Sequence, residues 1–232
     1  MNFLLLYSSI PSTNAVAFEL GRDGCDEGAV VIADAQTKGK GRLGRVWASP
    51  QSVNLYTSIV LRPGVPPQNA TQLTFLAAVA VAETIKRNIT PESPVVKWPN
   101  DILIAGRKAA GILLEMDTEP DRVNFVVVGI GVNLNMRGAD MPEVIKKTAV
   151  SLFDKTGAEV DRAEFAAGLY STFEKWYKIY SKVGFSPILD EWKGYFGYAG
   201  KPVKVKGGIA PFVGDSIEGI CMGVDADGAL LT

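Results

Sequence analysis

The sequence contains no histidine in 232 residues, and that absence removes several chemistries together. A Ser-His-Asp triad, a Cys-His pair, a His-ligated zinc and an imidazole general base are all excluded. Catalysis must run on lysine, arginine, carboxylates, amides and backbone groups, a set suited to positioning reactants and neutralising phosphate charge. Cysteine is nearly as scarce. Cys25 and Cys221, far apart and without metal-ligand spacing, read as reduced thiols of a cytoplasmic protein rather than as a disulfide framework. An excess of either charge is missing too: 24 Lys and Arg face 25 Asp and Glu, a net charge of -1. The overall field will not draw the chain onto DNA, RNA or an anionic membrane, so any basic site must be local. The apolar opening from Met1 to Tyr7 is too short to span a bilayer and has no basic n-region or cleavage site; it reads as a first strand.

What is present is ordinary globular material, 47% hydrophobic and 21% charged, enough for one substantial core and a small appended module. Strands are predicted at Phe3 to Tyr7, Ala29 to Asp34, Asn54 to Leu61, Val95 to Lys97, Ile102 to Ile104, Ala109 to Met116 and Arg122 to Val128. A short helix is capped by Ser12 or Thr13 and stopped at Gly21. From Thr71 to Asn88, Leu73, Leu76, Ala77, Ala80, Val81 and Ile85 fall on one helical face. Asp161 with Glu164 three residues on is a capping-box arrangement, followed by a stripe of Phe165, Leu169, Phe173, Trp176 and Tyr180. Ser186-Pro187 opens a last helix that Gly197 ends. Residues 201–232 are β-rich, punctuated by Gly207-Gly208, Gly214-Asp215 and Asp227-Gly228, and read as a small barrel. The pattern is an α+β domain over 1–198 followed by a β module over 199–232. The chain stops within a strand-like stretch, which makes a C-terminal truncation an expectation.

Gly39-Lys40-Gly41-Arg42-Leu43-Gly44-Arg45 places three cations among three glycines. Glycines let backbone amides approach an anion, and the cations add charge-assisted hydrogen bonds, so the segment can wrap a phosphate; a solvated basic loop is the alternative. Its match to G-x-G-x-x-G is a decoy, because Val46-Trp47-Ala48-Ser49-Pro50 follows instead of a helix. In Lys97-Trp98-Pro99-Asn100-Asp101 a lysine at a strand end precedes a proline-fixed turn that projects a carboxylate; a turn with an ion pair explains it equally. Lys108 can face the same site if its strand pairs back, and Gly111 permits close approach of a ligand; an edge lysine and a bulge glycine are the plain reading. Asn133, after Gly129-Ile130-Gly131, can offer the donor and acceptor that an adenine edge requires. Ser12-Thr13-Asn14 is explained by helix capping, with hydroxyls aimed at a ligand as the lesser alternative.

In this order the segments resemble the catalytic core of biotin protein ligases. That family's pattern is S-T-N, Q-x-x-G-R-G-R-x-G-R-x-W, N-L-Y, K-W-P-N-D, K-x-x-G-I-L-x-E and G-x-G-x-N. The matches are Ser12 to Asn14, Gln36 to Trp47, Asn54 to Tyr56, Lys97 to Asp101, Lys108 to Glu115 and Gly129 to Asn133, covering nearly the whole chain. The resemblance implies a class II synthetase-like core, with a mixed or antiparallel sheet and flanking helices, plus a small SH3-like barrel. It implies that Ser12, Thr13, Asn14 and Gln36 bind biotin together with Gly39, Lys40, Gly41 and Gly111. Arg42 and Lys97 would neutralise the biotin carboxylate and the α-phosphate of ATP, with Arg45, Trp47 and Asn133 holding the adenylate. Asp101 and Lys108 would lie beside the reacting centre. Biotin and ATP with Mg2+ are the implied substrates, a biotin carboxyl carrier domain of acetyl-CoA carboxylase or another carboxylase is the implied partner, and a homodimer is possible.

Two departures stand out. Lys40 occupies a position where the family usually has arginine, so a bidentate contact becomes a point charge. The chain also opens on its first strand, without the winged helix of bifunctional members, so no DNA-binding role is expected. Lipoate protein ligase shares the fold and the chemistry and is the nearest rival. A non-catalytic biotin or nucleotide sensor is the rival from another class.

Overall fold

The computed structural model describes residues 3–88, 92–206 and 216–232. Seven strands form one sheet: β1 (Phe3–Ile10), β2 (Ala29–Gln36), β3 (Leu55–Leu61), β4 (Val95–Lys97), β5 (Asp101–Ile104), β6 (Arg107–Thr118) and β7 (Val123–Val132). Their order is β1-β2-β3-β7-β6-β5-β4. Only β1 and β2 run parallel, joined through α1 (Thr13–Arg22); the other neighbours are antiparallel.

The strands read as continuous apolar runs because both faces of the sheet are covered, and their alternate residues enter different cores. On one face Val30, Ile59, Val126, Val128 and Ile130 pack beneath α2 (Gln72–Asn88), α5 (Arg162–Val183) and α6 (Ser186–Tyr195). On the other, Val31, Ala33, Val60, Phe125 and Val127 pack beneath α1 around Ala17. The helix α2 is buried nearly all round, as expected of one lying between a sheet and further helices. Asp161 caps α5 as the sequence predicts, its carboxylate accepting from the backbone amides of Ala163 and Glu164. Two short helices, α3 (Glu143–Lys146) and α4 (Leu152–Thr156), link β7 to α5. The mixed sheet with flanking helices is the fold class expected from the sequence.

Three local expectations are corrected. The first strand runs on to Ile10. The helix α1 passes through Gly21, where a Cβ would lie 2.5 Å from the Phe125 ring, so this glycine serves close packing and not termination. Ser12 occupies the N-cap position of α1 but makes no side-chain capping hydrogen bond.

Beyond α6 lie two antiparallel pairs, β8 (Pro202–Lys206) with β9 (Ser216–Ile220) and β10 (Gly223–Val224) with β11 (Leu230–Leu231). They are compatible with an SH3-like module. The glycine pairs Gly207-Gly208 and Gly214-Asp215 fall outside the described residues. This end of the chain is bound into the core: Val224 and Leu230 join the large apolar cluster, and Trp98 donates its indole N–H to the Gly228 carbonyl at 3.0 Å.

Candidate functional site

The site arises where the α1 face of the sheet runs out of side chains. On β7 the residues of that face are Phe125, Val127, Gly129 and Gly131; the first two lie under α1 and the next two leave bare backbone. Gly129 pairs with Leu113, and Gly131 with Gly111 across β6, so a floor of backbone opens beside the N-terminus of α1. The side chains of Asn14, Trp47 and Lys108 lie on this floor. A Cβ at Gly129 would come 1.9 Å from Asn14 Oδ1, and one at Gly131 would come 2.6 Å from the Trp47 indole. A Cβ at Gly111 would meet the same indole at 2.9 Å. Gly111 therefore admits Trp47 closely, which is what its missing side chain serves here.

Asn14 cannot yield easily to an added methyl, because it is hydrogen-bonded on both sides. Its amide donates to Glu115 Oε2 at 2.8 Å and to the Leu113 carbonyl at 3.3 Å, and its Oδ1 accepts from Ser58 at 2.6 Å. Gly129→Ala is expected to cost about 1–3 kcal/mol in urea denaturation, as overpacked interiors do. Unchanged stability would mean that Asn14 is not held as described.

The polar end of the floor is a connected network. The Thr13 backbone N–H donates to Gln36 Oε1 at 2.8 Å, Gln36 Nε2 donates to Ser49 Oγ at 2.9 Å, and the Ser58 and Thr13 hydroxyls are 2.8 Å apart. Of these groups Thr13 and Gln36 bound an inner cavity of about 50 Å³, whose lining also includes Asn14, Trp47, Gly111 and Gly129. Ser12, though buried, is not among the lining residues.

The glycine-rich segment is a hairpin and not a helix. Trp47 N–H donates to the Gly39 carbonyl at 3.0 Å, Gly41 N–H to Arg45 at 2.7 Å, and a tight turn closes it at Arg42–Gly44. Gly39 sits in the neck, where a Cβ would lie 2.4 Å from the Trp47 carbonyl oxygen. Lys40 reaches Glu115 at 3.2 Å, and Arg42 donates to Asn100 Oδ1 at 3.1 Å. The hairpin is thus tied to β6 on one side and to the Lys97–Asp101 turn on the other.

Past Trp47 lies an outer cavity of about 540 Å³, lined by Arg42, Arg45, Lys97, Asp101, Lys108, Asn133 and Lys147 among others. The strands β5 and β6 do pair back, placing Lys108 Nζ 2.7 Å from Asp101 and 5.2 Å from the Trp47 ring centre. Lys97 is exposed, not buried as a lysine ending a core strand suggests, because the turn lifts it to the cavity rim. It has no ion-pair partner among the described residues. Asn133 is buried, with its amide nitrogen donating to the carbonyls of Lys108 and Val150 at 3.3 and 3.2 Å; only its carbonyl oxygen remains uncommitted. Tyr198 completes the wall, its phenol raised above the ordinary value first by burial and then by the Asp101 carboxylate.

Trp47, Gly41, Arg42, Asn100 and Lys108 border both cavities. The arrangement is a small polar-ended chamber and a larger cationic one, meeting at an indole flanked by a guanidinium and an ammonium. It suits a reaction between a group held at the inner end and a polyphosphate held at the outer.

Residues 6–133 match the model of the biotin/lipoate A/B protein ligase family, more than half of the chain. The chain belongs to that family. The bifunctional ligase/repressor BirA of Bacillus subtilis is 40% identical over 228 residues, covering 98% of this chain and 68% of that protein. The biotin–[acetyl-CoA-carboxylase] ligase of Paracoccus denitrificans is 38% identical over 95% of this chain and 90% of its own length. Among solved structures, biotin protein ligase from Aquifex aeolicus in complex with biotin and ATP superposes with a TM-score of 0.83, at 27% identity, covering 99% of this chain and 91% of that one.

Within the family frame, one residue of the site, Ser58, lies outside every motif, and several others lie inside a motif without a role assigned from the sequence. Ser58, Glu115, Asn100 and the Gly129–Gly131 pair carry as much of the geometry as the expected residues. A signal existed for the glycines: two of them at alternate positions, on the face that Phe125 and Val127 had established as apolar. Glu115, a carboxylate within a half-buried strand, was a second signal.

Proposed function

We propose that this chain is an ATP-dependent biotin ligase, which joins biotin to AMP and passes the biotinyl group to a lysine of a biotin carboxyl carrier domain. The observation that carries this reading is the meeting of the two chambers at Trp47. Biotin's ureido ring would occupy the polar end at Thr13 and Gln36, with its valeryl chain running past Trp47. Its carboxylate would then arrive between Arg42 and Lys97. The polar end favours biotin over lipoate, whose acyl chain offers no N–H to these acceptors.

In the first step a carboxylate oxygen attacks the α-phosphorus of ATP and the bond to the β-phosphate oxygen breaks. Pyrophosphate leaves with its magnesium past Arg45 and Lys97. The Asn133 carbonyl oxygen and the Trp47 indole, both on the outer cavity wall, would hold adenine. Positioning and charge neutralisation suffice for this step. In the second, the carrier amine attacks the anhydride carbonyl, AMP departs, and the Asp101 carboxylate, fixed by Lys108, is placed to take the ammonium proton. No covalent enzyme intermediate is needed, in keeping with a chain that has no histidine.

The inner cavity, about 50 Å³, holds little more than one water's share of volume, about 30 Å³. Biotin would therefore need the hairpin bearing Lys40, Gly41 and Arg42, or the Trp47 side chain, to shift. Lys40→Arg is expected to be tolerated, since a guanidinium keeps the charge and can engage Glu115 through two bonds. An exposed pair is worth about 0–1 kcal/mol, so biotin affinity should change by no more than about fivefold. A large loss by titration calorimetry would mean that the hairpin needs a compact ammonium at this point.

The deciding experiment is mass spectrometry of a recombinant carrier domain incubated with the protein, ATP, magnesium and biotin. Addition of one biotinyl group supports the proposal. Biotin-dependent pyrophosphate release excludes a non-catalytic sensor, and failure of both overturns the ligase reading.

A further inference from the structure

We propose that Glu115 is a positioning residue that fixes the direction of the protons at the inner end of the site, and that Lys40 holds it there from the hairpin. The inference rests on the biotin reading above and extends it to residues that do not themselves touch the reacting atoms. Glu115 spans two elements: Oε1 lies 3.2 Å from Lys40 Nζ and Oε2 accepts from Asn14 Nδ2 at 2.8 Å. A carboxylate only accepts. Together with the Leu113 carbonyl, a second and more distant acceptor at 3.3 Å, it makes the Asn14 amide present NH2 towards β6 and its oxygen towards Ser58.

The consequence passes along the chain of hydroxyls. Ser58 has one proton, and the 2.6 Å separation assigns it to Asn14 Oδ1. The 2.8 Å contact between Ser58 and Thr13 must then use the Thr13 proton, because two hydroxyl oxygens cannot meet lone pair to lone pair. Gln36 Oε1, at 3.2 Å from the Thr13 hydroxyl, is the more distant claimant on that proton and keeps the Thr13 backbone N–H at 2.8 Å as its donor. Thr13, at the cavity wall, is left with free lone pairs and so presents an acceptor. A ureido N–H is the complementary donor. The charge on Glu115 thus selects a ligand with N–H groups without touching it, and the Lys40 contact ties that selection to the hairpin.

The test is biotin affinity and turnover in Glu115→Gln, Lys40→Met and the double variant of the full chain. Glutamine can present either N–H or oxygen to Asn14, so Glu115→Gln is expected to weaken biotin binding about tenfold while the pyrophosphate release rate at saturating biotin stays within about twofold. Lys40→Met is expected to weaken it about threefold, and the double variant to match Glu115→Gln alone, since coupled neighbours are not additive. Independent, multiplying effects would overturn the Lys40 part. A fall in saturated rate with affinity unchanged would overturn the positioning role. If Glu115→Gln fails to fold, Lys40→Met decides alone: unchanged affinity in that exposed variant overturns the proposal. Absence of biotin-dependent pyrophosphate release from the unaltered protein would instead overturn the ligase reading, a separately visible result.

Discussion

Lys97→Ala is expected to lower biotin-dependent pyrophosphate release by about 10²- to 10³-fold, the usual cost of removing one donor from where transition-state charge develops. The reason is its lack of a partner. Lys40 and Lys108 are each partly neutralised by an ion pair, with Glu115 and Asp101, whereas Lys97, across the strand pair from Asp101, makes no ion pair among the described residues and stands on the rim of the outer chamber. Its exposure weakens its field only while the chamber is open; an occupied chamber replaces water with substrate, and Coulomb interactions strengthen as water leaves. The end of β4 and the turn that follows it hold the lysine backbone at the outer chamber, so that only the side chain need be ordered. The measurement is a coupled pyrophosphate assay at saturating ATP. A rate within tenfold of the unaltered protein would show that Lys97 shapes the turn and does not act on the phosphate.

Arg42→Gly is expected to let the adenylate escape more than it slows adenylate synthesis. Arg42 is one of the two side chains that pin the hairpin, through Asn100 at 3.1 Å. Replacement removes that contact and adds a glycine to a segment already rich in them, so the closed hairpin must be ordered at greater entropic cost. Biotinyl-AMP released into solvent acylates any accessible amine. With ATP, biotin and serum albumin as bystander, the variant should biotinylate the albumin severalfold more than the unaltered protein does. A parallel fall in bystander labelling and pyrophosphate release would assign Arg42 to the first step.

Much of this was legible in the sequence for identifiable reasons. The long apolar runs of β3 and β7, the buried length of α2 and the Asp161 cap follow from period and capping chemistry, which are local. The motif order pointed to both walls of the site. What was not legible is what depends on register. That Gly111 faces Gly131, and Leu113 faces Gly129, is set by cross-strand pairing, and only then do Asn14 and Trp47 become the groups that lie on the floor. The exposure of Lys97 is not legible either, because the run Val95-Val96 looks like a core strand, while β4 is three residues long and lies at the edge of the sheet. Glu115 closes a motif but carries no role in the sequence, because a strand charge is usually solvent-facing; here it faces Asn14.

The hydrogen bond from Trp98 to Gly228 bears on when the protein becomes competent as it is made. The turn that carries Lys97 and Asp101 is completed early in synthesis, yet the carbonyl that steadies its tryptophan lies 130 residues later. Chains fold from the N-terminus as they emerge, so a ribosome-bound intermediate can assemble the seven strands well before this tie exists. Until residue 228 clears the ribosome, the turn lacks its anchor and Phe75 lacks the glycine that packs on it. A nascent chain would thus carry the turn for a time without this tie, and the setting of the turn would be complete only once residue 228 has joined it.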